Sequence, residues 1–199
     1  KRIAEAMSSY LPISFISMLV GCAGLHTIYE WTHKELVAND PILSEKVAWL
    51  NEPRFIITMV VIFALWIFIA KVLKNFSSKM DDAKNGESVA NKLVGFSAVA
   101  IIVFSLTICL AAFDWIMSVE PHWFSTIFGV YVFAGSFVSG ICFITLAVIK
   151  LRELGYLKNV VTENHLHDLG KWMFGMSVFW AYIWVSQYIL IWYANIPEE

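Results

Sequence analysis

Charge is scarce in this chain, and cysteine is scarcer. Only 15% of the 199 residues are Asp, Glu, Lys or Arg, while 59% are hydrophobic, which is too apolar for a soluble domain of this size. The net charge of −2 comes with no basic face, so nucleic acid is excluded as a partner. Cys22, Cys109 and Cys142 all fall within apolar stretches, which rules out a disulfide framework or a CxxC metal motif and leaves them as small core filler. CxxCH, GxGxxG, P-loop and Ser-His-Asp patterns are missing as well, and so are low-complexity segments and a clear internal repeat. No secretory signal peptide opens the chain. A start at Lys1 rather than Met, and an odd number of apolar blocks ending just past a Pro, lead us to expect part of a longer protein.

What is present is five long apolar blocks, at 10–31, 55–73, 95–117, 126–149 and 172–193. At 1.5 Å per residue each is long enough to cross a hydrocarbon layer of about 30 Å. The expectation is an all-α integral membrane protein, a polytopic helical bundle of five transmembrane helices in a single region, 1–199. Basic residues fall unevenly between the blocks. Lys1 and Arg2 precede the first, five lie from Lys71 to Lys92 and four from Lys150 to Lys171, eleven on one face against Lys34, Lys46 and Arg54 on the other. Under the positive-inside bias this puts the N-terminus in the cytoplasm and the C-terminus outside.

The connections carry further signals. Residues 32–54 contain Pro41 and Pro53, and the spacing of apolar residues from Leu43 to Leu50 predicts a short external amphipathic helix. Residues 74–94, with Asp81, Asp82, Asn85, Gly86 and Glu87, read as a cytoplasmic loop. The connection at 118–125 is short enough to make its two helices antiparallel neighbours. Up to Lys71 near its end, block two has Thr58 as its only polar side chain, which suits a helix facing lipid. Block four pairs Gly135 with Ser139 and Ser136 with Gly140, small residues that permit close helix approach.

Ionisable groups at membrane depth are costly, about 3 kcal/mol or more at the bilayer centre, so each one calls for an explanation. Asp114 sits at the outer end of block three. It reads either as an interfacial anchor or as a carboxylate that takes up and releases protons. His26 and Glu30, one turn apart on one face of block one, and Glu120 and His122, in the turn after Asp114, belong to the same outer side. Together they are candidates for a carboxylate–imidazole cluster that accepts protons from a hydroquinone or passes them to the outer water. Block five adds Asp168, Gly175, Tyr182, Ser186 and Tyr193, spaced to share one helix face. Over about 37 Å that stripe forms either part of a proton wire or a helix–helix seam.

Metal and haem are not expected. His165 and His167, at i and i+2, do not face each other on a helix, and His26 is the only His within a block, which leaves His122 as its sole partner for bis-His haem.

Three runs are idiosyncratic: Phe113-Asp114-Trp115-Ile116-Met117-Ser118-Val119-Glu120-Pro121-His122-Trp123-Phe124 and on to Tyr131; His165-Leu166-His167-Asp168-Leu169-Gly170-Lys171; and Trp192-Tyr193-Ala194-Asn195-Ile196-Pro197-Glu198-Glu199. They resemble the F subunit of bacterial alternative complex III, the second of its two NrfD-like (polysulfide-reductase-like) membrane subunits. The resemblance implies a multi-pass NrfD-like protein of the bacterial inner membrane, in a respiratory quinol:electron-acceptor oxidoreductase. It implies a homologous NrfD-like membrane subunit alongside, and periplasmic iron–sulfur and multihaem cytochrome c subunits that hold the clusters and haem c. The chain itself would bind no redox cofactor and would contribute a quinone or quinol pocket wall, a proton path, or both. Asp114, Glu120, His122 and Asp168 lie within the matched runs. Two further readings come from the residues alone: a purely structural scaffold surrounded by lipid, and a secondary transporter, for which blocks two to five lack the expected helix breaks.

Overall fold

The computed structural model describes residues 2–80, 86–157 and 160–195. They are mainly helical, with no strand among them, and five stretches are long and apolar enough to cross a membrane: Arg2–Cys22, Glu52–Lys79, Ser88–Val119, Phe128–Glu153 and Glu163–Ala194. The chain divides into two compact units, one from Ala4 to Phe124 and the other from Ser125 onward.

The first unit opens with α1 (Arg2–Ser8) and α2 (Leu11–Cys22). Pro12 in the first turn of α2 has no N–H to donate to Ser8, and the junction tightens into three-residue bonds, Ser9 N to Ala6 O and Tyr10 N to Met7 O. The sequence places the first block at 10–31, but the continuous helix ends at Cys22. Beyond it come the single turn α3 (Leu25–Ile28), an extended Tyr29 (φ −115°, ψ 116°) and a 3-10 turn at Glu30–Thr32. Leu25, Tyr29 and Trp31 instead join Leu43 and Phe55 in a buried cluster.

Two short helices follow, α4 (Lys34–Asn39) and α5 (Pro41–Lys46). The amphipathic helix expected from Leu43 to Leu50 therefore begins and ends earlier. Asp40 and Pro41 set its start: the Asp40 carboxylate accepts from the N–H groups of Ile42 (2.8 Å) and Leu43 (3.2 Å), and Pro41 occupies the first helical position, where no donor is needed.

α6 (Glu52–Lys79) packs against α2 and against α7 (Gly86–Ala111). The connection 74–94 is thus mostly helix, and Asp81–Asn85 lie outside the described residues. α6 is buried along one side, while Ile56, Ile57, Val60, Val61 and Phe68 leave the rest of its apolar surface open, as a helix facing lipid would. It buries Phe55, Met59, Ile62, Phe63 and Ser77, more than any other helix does among the described residues. Phe63 stacks on Trp115 (5.5 Å, 14°) and contacts Phe15 and Trp66, while Trp66 donates to the Thr107 hydroxyl of α7 at 2.8 Å. Lipid tails and helix neighbours are equally apolar, so a helix that is apolar all round does not reveal which of them it faces.

The second unit is a pair of long helices, α8 (Phe128–Glu153) and α9 (Glu163–Ala194), packed on each other. Trp180 crosses α8 at Gly135, where an added Cβ would lie 3.0 Å from the indole nitrogen, and it stacks on Tyr131. Of the four small residues in block four, Gly135 is the one used in this way; nothing lies within 4 Å of a Cβ built at Gly140. Thr162 and His165 cap α9 through paired side-chain and backbone bonds, so His165 has a local structural partner. Asn195 ends α9 in the left-handed conformation (φ 48°).

Candidate functional site

The site is assembled where α6 begins and α7 ends. Asn51 caps α6 by accepting from Arg54 N (3.0 Å), which fixes Arg54 in the first turn. From there the guanidinium reaches Asp114, with Nη1 donating to Oδ1 (3.0 Å) and Nη2 to Oδ2 (3.3 Å). Nη1 also donates to Trp49 O (3.0 Å), and the group lies 3.5 Å from the centre of the Trp49 ring. The Trp49 indole N–H completes the shell by donating to Asp114 Oδ1 at 3.1 Å. Asp114 is 1% exposed and is the one buried carboxylate among the described residues. A planar fork matched to a carboxylate and stacked on an indole is an arrangement that arginine makes and lysine does not.

Asp114 occupies a π-helical turn, Ala112–Ile116, that interrupts the end of the α7 span, followed by a 3-10 turn at Met117–Val119. An inserted residue offsets the helix face by roughly 100° and leaves carbonyls without their usual partners. These are satisfied from outside the helix ladder. The Tyr29 hydroxyl donates to Trp115 O (2.9 Å), the Trp31 indole to Ser118 O (3.1 Å) and the Ser118 hydroxyl to Asp114 O. The break after Cys22 thus has a purpose: it brings two aromatic side chains with polar tips over the end of α7. Trp115 Nε1, by contrast, is buried and has no hydrogen-bond partner.

The other outer-side candidates find separate partners. His122 Nε2 meets the second carboxylate oxygen of Asp40, the α5 cap. That contact, helped by the N–H groups of Leu43 and Ile42, holds the Asp40 carboxyl below the usual carboxylate range. His26 is exposed and lies 3.7 Å from Glu52, with its ring 6.0 Å from that of His33. Glu30 and Glu120 are exposed. The expectation that His26 and Glu30 share one helix face fails, because the extended backbone at Tyr29 separates them. Asp114, His122 and His26 each pair with a residue outside the expected cluster.

On α9 the stripe of Asp168, Gly175, Tyr182, Ser186 and Tyr193 lies on one continuous helix, but away from α8. The seam with α8 uses Trp180, on Tyr131 and Gly135, and Trp172, beside Phe137, with Ile183 buried; Gln187 accepts from Ser125 (3.1 Å), just before α8. At 100° per residue the centre of the stripe is roughly a quarter-turn from the centre of that seam. Asp168, Gly175, Tyr182 (65%) and Tyr193 (85%) are exposed, Ser186 is half-buried, and Asp168 pairs locally with Lys171 (3.4 Å). The stripe is therefore not the α8–α9 seam.

Beside the Asp114 shell lies a cleft of about 230 Å³, lined by Lys46, Trp49, Phe113, Met117, Trp123 and Phe124 among others. Lys46 donates to Pro121 O and sits 5.6 Å from the centre of the Phe124 ring. No group of three His, Cys, Asp or Glu among the described residues is placed to hold a metal ion. Chemically, the site offers a carboxylate with both oxygens occupied, an adjoining aromatic cleft and a nearby Asp–His pair.

Arg54, Trp49 and Asp40 escape notice in the sequence. Arg54 had a signal: it is one of only three basic residues in the connections expected on the outer side, directly after a Pro and at the edge of an apolar block. Scanning protein-family models and searching the curated proteins both returned no match to this chain.

Proposed function

We propose that this chain is a subunit of a quinol-oxidising respiratory complex of the alternative complex III type, NrfD-like in fold and set in a bacterial inner membrane. In this reading its N-terminus is cytoplasmic and its C-terminus periplasmic. It holds no redox centre and contributes a quinone-pocket wall, a proton path, or both, while a homologous membrane subunit and periplasmic iron–sulfur and multihaem proteins carry the electrons. The sequence runs around Asp114, Asp168 and Tyr193 motivate the family. The observation that supports a proton or quinol role is Asp114: a buried carboxylate at the end of a membrane span, in a π turn and beside an aromatic cleft. π turns are frequent at functional sites, and ionisable groups at membrane depth are seldom kept without a use.

One specific observation favours the scaffold reading. Arg54 and Trp49 occupy both Asp114 oxygens, so as it stands the carboxylate ties α6 to α7. Purifying the native assembly through a tag on this chain and identifying its companions tests the family reading. Recovery of periplasmic iron–sulfur and multihaem proteins is expected. A lone homo-oligomer refutes it.

A further inference from the structure

We propose that the cleft between α5 and the end of α7 is a binding site for one anionic phospholipid, with an acyl chain among Phe113, Met117, Trp49 and Trp123 and the headgroup phosphate at Lys46. The position follows from the spans. α6 enters the membrane at Glu52 and the apolar stretch through α7 ends at Val119, so residues 46–50 and 117–124 lie at the level of the headgroups. Trp49, Trp123 and Phe124 give this rim the aromatic character of a membrane interface.

Size and charge choose the occupant. At about 230 Å³ the cleft is below the roughly 300–1,000 Å³ of sites that enclose a small molecule, and it is lined almost wholly by apolar side chains, which suits a segment of hydrocarbon chain. Its one cationic group is Lys46, which makes no salt bridge to a carboxylate among the described residues: Asp40 is engaged by His122 and Asp114 by Arg54. One of the three ammonium donors goes to Pro121 O, and the stem is positioned by the Phe124 ring. Two donors remain for phosphate oxygens, in the snorkelling geometry common to lysines at membrane boundaries. The inference does not depend on the respiratory reading, and its failure would leave that reading standing.

The test uses the native assembly in phosphatidylcholine nanodiscs containing a small fraction of phosphatidylglycerol with a diazirine in its acyl chain. A parallel sample carries the same diazirine on phosphatidylcholine, and adducts are mapped by peptide mass spectrometry. Adducts on residues 113–124 are expected to form about fivefold more with phosphatidylglycerol, the order of one lysine–headgroup contact. Lys46→Gln should abolish the preference and Lys46→Arg should keep it. Raising the salt to 1 M should weaken the preference in the unaltered protein, an arm that needs no variant. Equal labelling by the two lipids, or a preference that persists in Lys46→Gln, overturns the proposal. So does charge-independent labelling that is competed away by a neutral short-chain quinone, which would assign the cleft to a quinone instead.

Discussion

Replacing Arg54 with Gln measures what the Asp114 shell is for. The change removes the two donors that hold the buried carboxylate and leaves the Trp49 indole as its remaining charge-assisted bond. Removing one partner of a buried ion pair costs about 3–5 kcal/mol. Arg54 is 24% exposed, so water can reach part of the gap, and about 2–4 kcal/mol is expected. Asp114→Asn removes the charge but keeps one acceptor oxygen, for an expected loss of about 2 kcal/mol, within the range of hydrogen bonds to charged groups. Because the two changes disrupt one interaction, the double variant should be less destabilised than the sum by about 2 kcal/mol. The assay is reversible unfolding in bicelles, by steric trapping or by an SDS titration, with all four proteins compared. Single losses under about 0.5 kcal/mol, together with additivity in the double variant, would refute the claim that this pair ties α6 to α7.

Three further outcomes are expected. Cysteines placed at Lys79 and Glu120 should differ toward a membrane-impermeant thiol reagent in intact cells, with Glu120 labelled and Lys79 protected; the reverse pattern would invert the orientation read from the basic residues. Gly135→Ala should destabilise the α8–α9 pair by about 1 kcal/mol net, as overpacking against the Trp180 ring outweighs about 1 kcal/mol of helix propensity, and a gain in stability would mean that Trp180 yields freely. The Asp40 carboxyl is held below its ordinary 3.8, so its hold on His122 and α5 is complete above that pH and is lost as pH falls through the lower folded value. Protease cleavage within 33–50 should therefore rise only in that acid range and lose this pH dependence in Asp40→Asn.

How much could be read beforehand depended on the kind of signal. Length and hydropathy locate four of the five spans closely at Glu52, Val119, Phe128 and Ala194, where the apolar run stops, but fall short at their other ends, at Lys79, Ser88, Glu153 and Glu163, where the helix continues into polar sequence. The first span shifts because Tyr29 and Trp31 are as apolar as membrane residues by composition, yet use their polar tips on the carbonyls of Trp115 and Ser118. No periodicity announces that. Residues 74–79 are helical although mostly polar, since a helix that has run past its apolar stretch continues while its backbone bonds are favourable. Spacing groups the α9 stripe on one helix face but says nothing about which face meets a neighbour; that is decided by Trp180, which meets Gly135 of α8 from a face roughly 120° or more round α9. Asp114 stood out as a lone carboxylate, whereas its partners Trp49 and Arg54, about sixty residues away in sequence, became visible only through tertiary contact.

The two readings of Asp114 compete for the same two oxygens, and that makes them separable. Three donors occupy three of the roughly four lone-pair positions of the Asp114 carboxylate, and two of the three belong to Arg54, so in the proton-path reading Arg54 moves away as the proton arrives. Arg54 does not move alone, because it is stacked on Trp49 and bonded to the Trp49 carbonyl, and Trp49 in turn donates to Asp114. The moving part would be the segment between α5 and α6, together with the first turn of α6. In a proton path, weakening that hold with Trp49→Phe, which keeps an aromatic surface but removes the indole donor, should leave turnover intact or raise it, whereas Asp114→Asn should lower turnover about tenfold, equivalent to about 1.4 kcal/mol on the limiting barrier. In a scaffold, both substitutions should lower stability and leave turnover per assembled complex unchanged. A turnover loss shared equally by Trp49→Phe and Asp114→Asn would contradict both readings, since neither gives the indole a role that survives without the carboxylate.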